Sequence, residues 1–168
     1  MILARMVDAF LAELEQEAGT TRRVLERVPE GKLGWKPHAK SMSLGQLALH
    51  VATIPGSLAS ILAGDGLEMT SREYPTATSA AELMNALEES LRTAKEVIGN
   101  FDDQKALAIW KLTKDGKEIF AAPRIALIRS ILLNHWYHHR GQLSVYLRLL
   151  DVPIPSIYGP SADENPFA

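Results

Sequence analysis

His135 and His139 stand four residues apart in the stretch Asn134-His135-Trp136-Tyr137-His138-His139-Arg140-Gly141-Gln142, which holds three of the chain's five histidines. The segment Pro123–Leu150 around it reads as one helix. Counting about 100° per residue, Ile125, Ile128, Leu132, His135, Leu143, Tyr146 and Leu150 fall within about 40° of His139. Side chains four apart on a helix project from one face a turn apart, close enough for two imidazoles to share one ion. His138 is turned away by about 100° and lies on the flank. A histidine on an apolar stripe is ordinarily a core residue hydrogen-bonded to a neighbour. Two at this spacing, with no acid close in sequence, fit a metal site as well as they fit a core.

A third histidine has a comparable place on another helix. Ser43, with Gln46 three residues on, forms a capping box, and Leu47, His50, Ile54 and Ile61 then share a stripe with His50 at its middle. Pro55-Gly56 should kink this helix one turn after the histidine, and Gly64-Asp65-Gly66 should stop it. His38, after a proline on a connector, reads as a surface residue or one standing behind a site.

The other elements must position these groups. Ile2–Val28 reads as a first helix, with Phe10, Leu14, Glu17, Thr21, Val24, Leu25 and Val28 at three- and four-residue spacing. Leu33–Met42 is a connector around Trp35. Leu67–Thr78 has no period and reads as a loop crossing the molecule. Ser79 with Glu82 resembles a second capping box before Leu83, Leu87, Leu91 and Ala94, in a helix closed by Gly99-Asn100. Residues 101–122 differ: an extended run to Leu112, the turn signal Thr113-Lys114-Asp115-Gly116-Lys117, then Glu118-Ile119-Phe120, which suggests a small hairpin or distorted turns. The prolines 153, 155, 160 and 166 make the stretch after Leu150 an irregular strap. Four amphipathic helices with long connections predict an all-α four-helix bundle in which at least one connection crosses the bundle. The expected organisation is one domain over 1–168, with 151–168 as the strap.

Composition narrows the chemistry. The chain has 168 residues, 46% of them hydrophobic and 23% charged, as in an ordinary soluble globular protein. A net charge of -2 leaves no electrostatic footprint for nucleic acid. With no cysteine, disulfides, thiolate ligands and cysteine nucleophiles are all excluded, so a transition-metal site must use histidine and carboxylate. The first residues do not form a secretion signal, and no apolar run reads as a membrane span. The expectation is a cytoplasmic protein without membrane or nucleic-acid partners.

Two motifs in combination carry a resemblance. Trp35-Lys36-Pro37-His38-Ala39-Lys40-Ser41-Met42-Ser43-Leu44-Gly45-Gln46-Leu47-Ala48-Leu49-His50 and His135-Trp136-Tyr137-His138-His139-Arg140-Gly141-Gln142-Leu143 resemble the DinB/YfiT-like family of four-helix-bundle metal proteins, and Trp110–Arg124 resembles the family's stretch before its last helix. The resemblance implies a divalent metal held by His50, His135 and His139. Arg140 and Gln142 match the motif, as groups behind the ligands or as dimer contacts, and His138 stands beside the ligands without a ligand role. Three neutral imidazoles suit Zn²⁺, Ni²⁺ or Fe²⁺ and leave a coordination position open. The family's activities imply transfer of a low-molecular-weight thiol to a small electrophile. The alternatives are metal-dependent hydrolysis, with Glu13 or Glu17 of the first helix as a base if the bundle brings them close, and a non-catalytic, stress-associated metal-binding bundle. The resemblance also implies a homodimer, consistent with Trp136 and Leu133 on the outer flanks of the last helix, although those residues could equally pack against another helix of the same chain.

Overall fold

The computed structural model describes residues 4–71 and 73–167. Helix α1 spans Asp8–Leu25, α2 Leu44–Ala63 and α3 Ala80–Gly99. The last helix is assembled from α5 (Arg124–Leu127), a π-helical turn (Ile128–Leu133) and α6 (Asn134–Leu149). A 3-10 turn (Glu30–Lys32), a short helix α4 (Asp103–Leu107) and three strands complete the described elements: β1 (Gly66–Glu68), β2 (Ile109–Lys114) and β3 (Lys117–Pro123). The expected first helix is trimmed at both ends. Its proposed start at Ile2 lies outside the described residues.

The long helices form a ring in which α1 packs on α3, α3 on α2, α2 on α6 and α6 on α1. Their directions can be read from cross-helix contacts. Ala77 N–H donates to Gly45 O (3.4 Å) and Gly56 N–H to Ser90 Oγ (2.8 Å), so α2 and α3 advance together and are parallel. Arg22 pairs with Glu88 and Lys95 with Glu15, making α1 antiparallel to α3. The last helix runs antiparallel to α2, with Arg124 beside Leu62 at one end and Tyr146 beside Met42 at the other. Two parallel consecutive helices require a connection along the whole bundle, and residues 64–79 supply it. The other long connection, 100–123, does not cross; it stays at one end and folds into a hairpin.

That hairpin corrects the all-α expectation. β2 and β3 are antiparallel, and β1, contributed by the crossover, adds parallel to β2 in the order β1-β2-β3. Asp115 and Gly116 have φ of 51° and 72°, the two-residue turn whose twist matches paired strands. A two-stranded hairpin alone is marginal in water, and this one is extended by β1 and held to the bundle by Arg124. Its buried guanidinium donates to Leu62 O (2.9 Å), Gly64 O (2.6 Å) and Ala108 O (3.1 Å) and pairs with Asp65 (2.8 Å). It thereby satisfies carbonyls at and just beyond the C-terminal end of α2, where a cation is favoured.

Capping explains the helix starts. Ser43 and Gln46 make the reciprocal box at α2 (3.2 and 2.9 Å). At α3, Ser79 Oγ accepts from Glu82 N–H, but the Glu82 carboxylate takes the backbone N–H and hydroxyl of Thr78 instead, one residue earlier than a box requires. α2 is long and apolar enough to cross a membrane by composition. Its apolar side chains are buried almost all round against α3 and α6, as in a core helix.

Candidate metal centre

α2 is apolar on nearly every side, so its hydrophobic pattern does not reveal which face is open. The structure does: Gln46, His50, Thr53, Ser57 and Ile61, at three- and four-residue spacing, are its less buried positions, while Leu47, Leu49, Val51 and Ile54 are buried. His50 is therefore on the wall of a cleft and not at the middle of a core stripe. The last helix shows the same displacement. Its buried line runs through Leu132, Trp136, Arg140, Leu143 and Leu147, one position on from the line through the histidines, and His135 and His139 are half-buried at its edge. The π-helical turn explains part of the discrepancy, because its wider turns invalidate a steady 100° count back to Ile125 and Ile128. Trp136 and Leu133, 0% and 1% exposed, belong to the core and offer no dimer contact.

Pro55 sets the register between the two histidine-bearing helices. α2 runs on through it, but a proline has no N–H for the carbonyl four residues earlier, here that of Val51. The indole N–H of Trp136 donates to Val51 O at 2.9 Å. The residues that follow His50 and His135 are thus locked together inside the core by a bond that Pro55 makes available.

The lock brings the ligand atoms together. One ring nitrogen from each of His50, His135 and His139 lies within 4.8 Å of the others, and His50 Nε2 is 3.2 Å from His135 Nε2. Metal–nitrogen bonds of about 2.0–2.1 Å set tetrahedral ligand nitrogens about 3.3 Å apart, so the pair is spaced for one ion. The Nδ1 of His139 is 2.8 Å from Gln142 Oε1; donation to that oxygen places the proton on Nδ1 and leaves the Nε2 lone pair for a metal. Burial, reinforced by His139 and His138, pushes the His135 pKa down to about 4, and burial likewise lowers that of His139. Both imidazoles are neutral at pH 7, the form that binds metal. Donor set, spacing and protonation state all fit a divalent ion.

The neighbouring motif residues separate by function. Gln142 touches His139. His138 is exposed, its ring centroid 5.0 Å from that of His139. Arg140 points to the opposite side, 1% exposed, and donates to Glu17 Oε2 (2.6 Å), Glu17 O (3.2 Å), Thr21 Oγ1 (3.1 Å) and the Tyr158 hydroxyl (2.5 Å). It anchors the last helix to α1 and to the C-terminal strap. The helix-one carboxylates are occupied there too: Glu13 accepts from Arg129 and from Tyr137 Oη (2.8 Å), and Arg129 holds its carboxyl below the usual range. Neither Glu13 nor Glu17 is placed to serve the histidines as a base. His38 is exposed, and its Nδ1 accepts from Lys40 N–H in a turn.

Sequence reading missed the rim. The crossover lays Glu73, Tyr74 and Pro75 over a cleft of about 500 Å³ lined also by His50, Thr53, Ser57, Ile131 and His135. Gln46 holds this segment by donating to Tyr74 O (2.9 Å), and the Tyr74 ring stands edge-on to His50 at 5.2 Å. The length of the unpatterned segment was the one available signal, since long loops in compact domains are often functional.

Bundle and cleft together define a class: helical proteins with three imidazoles from two antiparallel helices converging at an open site. Residues 4–165 match the DinB family, and the chain belongs to it. It is 25% identical over 162 residues to the uncharacterized protein YrdA of Bacillus subtilis strain 168, covering 94% of this chain and 91% of that one. Its fold is similar to the crystal structure of a DinB-like protein from Bacillus cereus ATCC 10987, with a TM-score of 0.68, 22% identity and coverage of 90% and 97% of the two chains. A DinB-like protein of Bacillus subtilis, YjoA, gives 0.65 at 16% identity, covering 86% and 93%. At these identities the two structures speak for the fold alone.

Proposed function

We propose that the protein is a divalent-metal-dependent enzyme that transfers a low-molecular-weight thiol to a small electrophile. The observation that carries this reading is the convergence of three imidazoles, two of which, His50 and His135, line a cleft large enough for a small molecule. A Zn²⁺, Ni²⁺ or Fe²⁺ ion bound there would supply Lewis acidity and favour a thiol's deprotonated form. His50, His135 and His139 bind; Gln142 orients His139; Tyr74 and Pro75 cover the cleft and exclude water from one side. Hydrolysis is the weaker enzymatic reading, because Glu13 and Glu17 of α1 are tied to arginines and Glu73 is the one acid among the described residues that line the cleft. A non-catalytic metal-binding bundle is the competing class. A homodimer, if formed, must use a surface other than Trp136 and Leu133; Val145 and Leu149, 57% and 58% exposed, are among the apolar residues that the last helix offers.

The test is elemental analysis of untagged protein beside His50→Ala and His135→Ala, followed by assays of thiol consumption with electrophiles. Stoichiometric metal in the parent, absent from both variants, with metal-dependent thiol loss supports the reading. A parent that binds none of Zn²⁺, Ni²⁺ or Fe²⁺ on titration overturns it. Metal without turnover leaves the non-catalytic bundle.

A further inference from the structure

A second cavity of about 270 Å³ adjoins the histidine cleft, and Leu58 and Ile131 line both. These two residues continue the ligand-bearing faces. Leu58 lies two turns beyond His50 on α2, after Ile54, and Ile131 lies one turn before His135 on the last helix. The chamber is roofed by Leu62 and Leu127 and floored by the sheet, through Leu67 of β1, Trp110 and Leu112 of β2 and Phe120 of β3. The strands that depart from an all-helical bundle therefore enclose a space beside the site.

Its chemistry is one-sided. The indole N–H of Trp110 is already given to Ile61 O at 3.2 Å, which leaves the hydroxyl of Thr70 as the polar side-chain group in the lining. An occupant gains by leaving water and not by hydrogen bonding. Met69, Phe120 and Ile131 in the lining remain 44%, 45% and 44% exposed, apolar surface that an occupant would cover. An apolar cavity of about 150 Å³ suffices for benzene, so this one accommodates a substituted ring or a medium-length alkyl chain.

We propose that this chamber receives the apolar part of the substrate, whose reactive polar end meets the histidines and whose ring or alkyl chain passes Leu58 and Ile131 to lodge against the sheet. The proposal rests on the histidine cluster binding a metal. It narrows the substrate class to amphiphilic small molecules and assigns the β-sheet a role in selecting them.

The experiment uses metal-loaded full-length protein and straight-chain hydroxamic acids from two to eight carbons, a metal-seeking head that does not presuppose a thiol. Calorimetric titration should show binding roughly fourfold tighter for each added methylene until the chamber is full. Leu112→Trp, and separately Phe120→Trp should the first misfold, fill the chamber from the sheet and should flatten that dependence, leaving the longest acid within about threefold of the shortest. Affinity that is independent of chain length in the parent overturns the chamber while leaving the metal reading intact. A length dependence that survives a folded filling variant also overturns it. Failure of the two-carbon acid to bind overturns the metal reading, and the chamber proposal with it.

Discussion

His139 and Arg140 are consecutive residues on one helix, yet they build opposite kinds of polar cluster. Around Arg140 every group meets its complement: a guanidinium on the carboxylate of Glu17, with Thr21 and Tyr158 taking the remaining donors, all within the interface of the last helix, α1 and the strap. Around His139 the groups are alike: three half-buried imidazoles that would repel one another if protonated, while Glu13 and Glu17 of α1 are engaged by Arg129, Tyr137 and Arg140. The first cluster is complete as it stands and holds the bundle together. The second gathers groups of one kind beside a cleft, an arrangement that could hold a cation. Complementarity marks a structural cluster, whereas a converging set of like ligands marks a binding site.

The largest expected effect separates the two directly. Arg140→Ala strands the Glu17 carboxylate in the interface and should lower stability by about 3–5 kcal/mol in urea unfolding. His139→Ala in metal-free protein should lower it by less than about 1 kcal/mol while abolishing metal uptake. Equal losses would make the histidines structural and erase the contrast.

Metal should then contribute what the second cluster lacks. With free Zn²⁺ at about a hundred times its dissociation constant, the parent should gain about 2.7 kcal/mol, read as a rise in unfolding midpoint. His50→Ala and His135→Ala should gain none. A comparable gain in both variants would place the ion elsewhere.

Gln142 sharpens the boundary, because it is the motif residue that contacts His139. Gln142→Ala should weaken metal binding by about 10–100-fold in a competition titration, with little change in the stability of metal-free protein. Gln142→Glu should restore binding, since a carboxylate can accept the same Nδ1 proton.

The smallest effect is a pH dependence. His135 has a pKa of about 4 in the fold against 6.5 for an ordinary histidine. Between those values the unfolded chain holds a proton that the folded chain does not, so acid favours unfolding. Metal-free protein should lose stability as pH falls from 6.5 towards 4, and this component should vanish in His135→Ala but persist in Arg140→Ala. Because His135 is half-buried, solvent keeps the effect modest.

Local signals in the sequence were mostly read correctly, although at α3 the Glu82 side chain bonds Thr78 instead of closing the expected second box. The box of Ser43 and Gln46, the Asp115-Gly116 turn and the last helix all stand as the residues predict. Phase was misread on both histidine-bearing helices, for different reasons. α2 is apolar all round, so no stripe is distinguished, and the last helix contains a π-helical turn that a fixed angular step cannot follow. The same limit hid the role of Arg140, whose partners Glu17, Thr21 and Tyr158 come from α1 and from the strap after α6.

By itself the sequence determined which side chains can bind a metal, their helical spacing, the absence of any thiolate and the need for a crossover. These depend on residue identity and on contacts within one turn. Only the tertiary structure decided that His50 and His135 meet, that Glu13 and Glu17 turn away, that Tyr74 covers the cleft and that a sheet walls a chamber beside it. Each of these depends on the register and direction of elements far apart in the chain. That register is fixed by bonds such as Trp136 to Val51, whose two ends lie 85 residues apart.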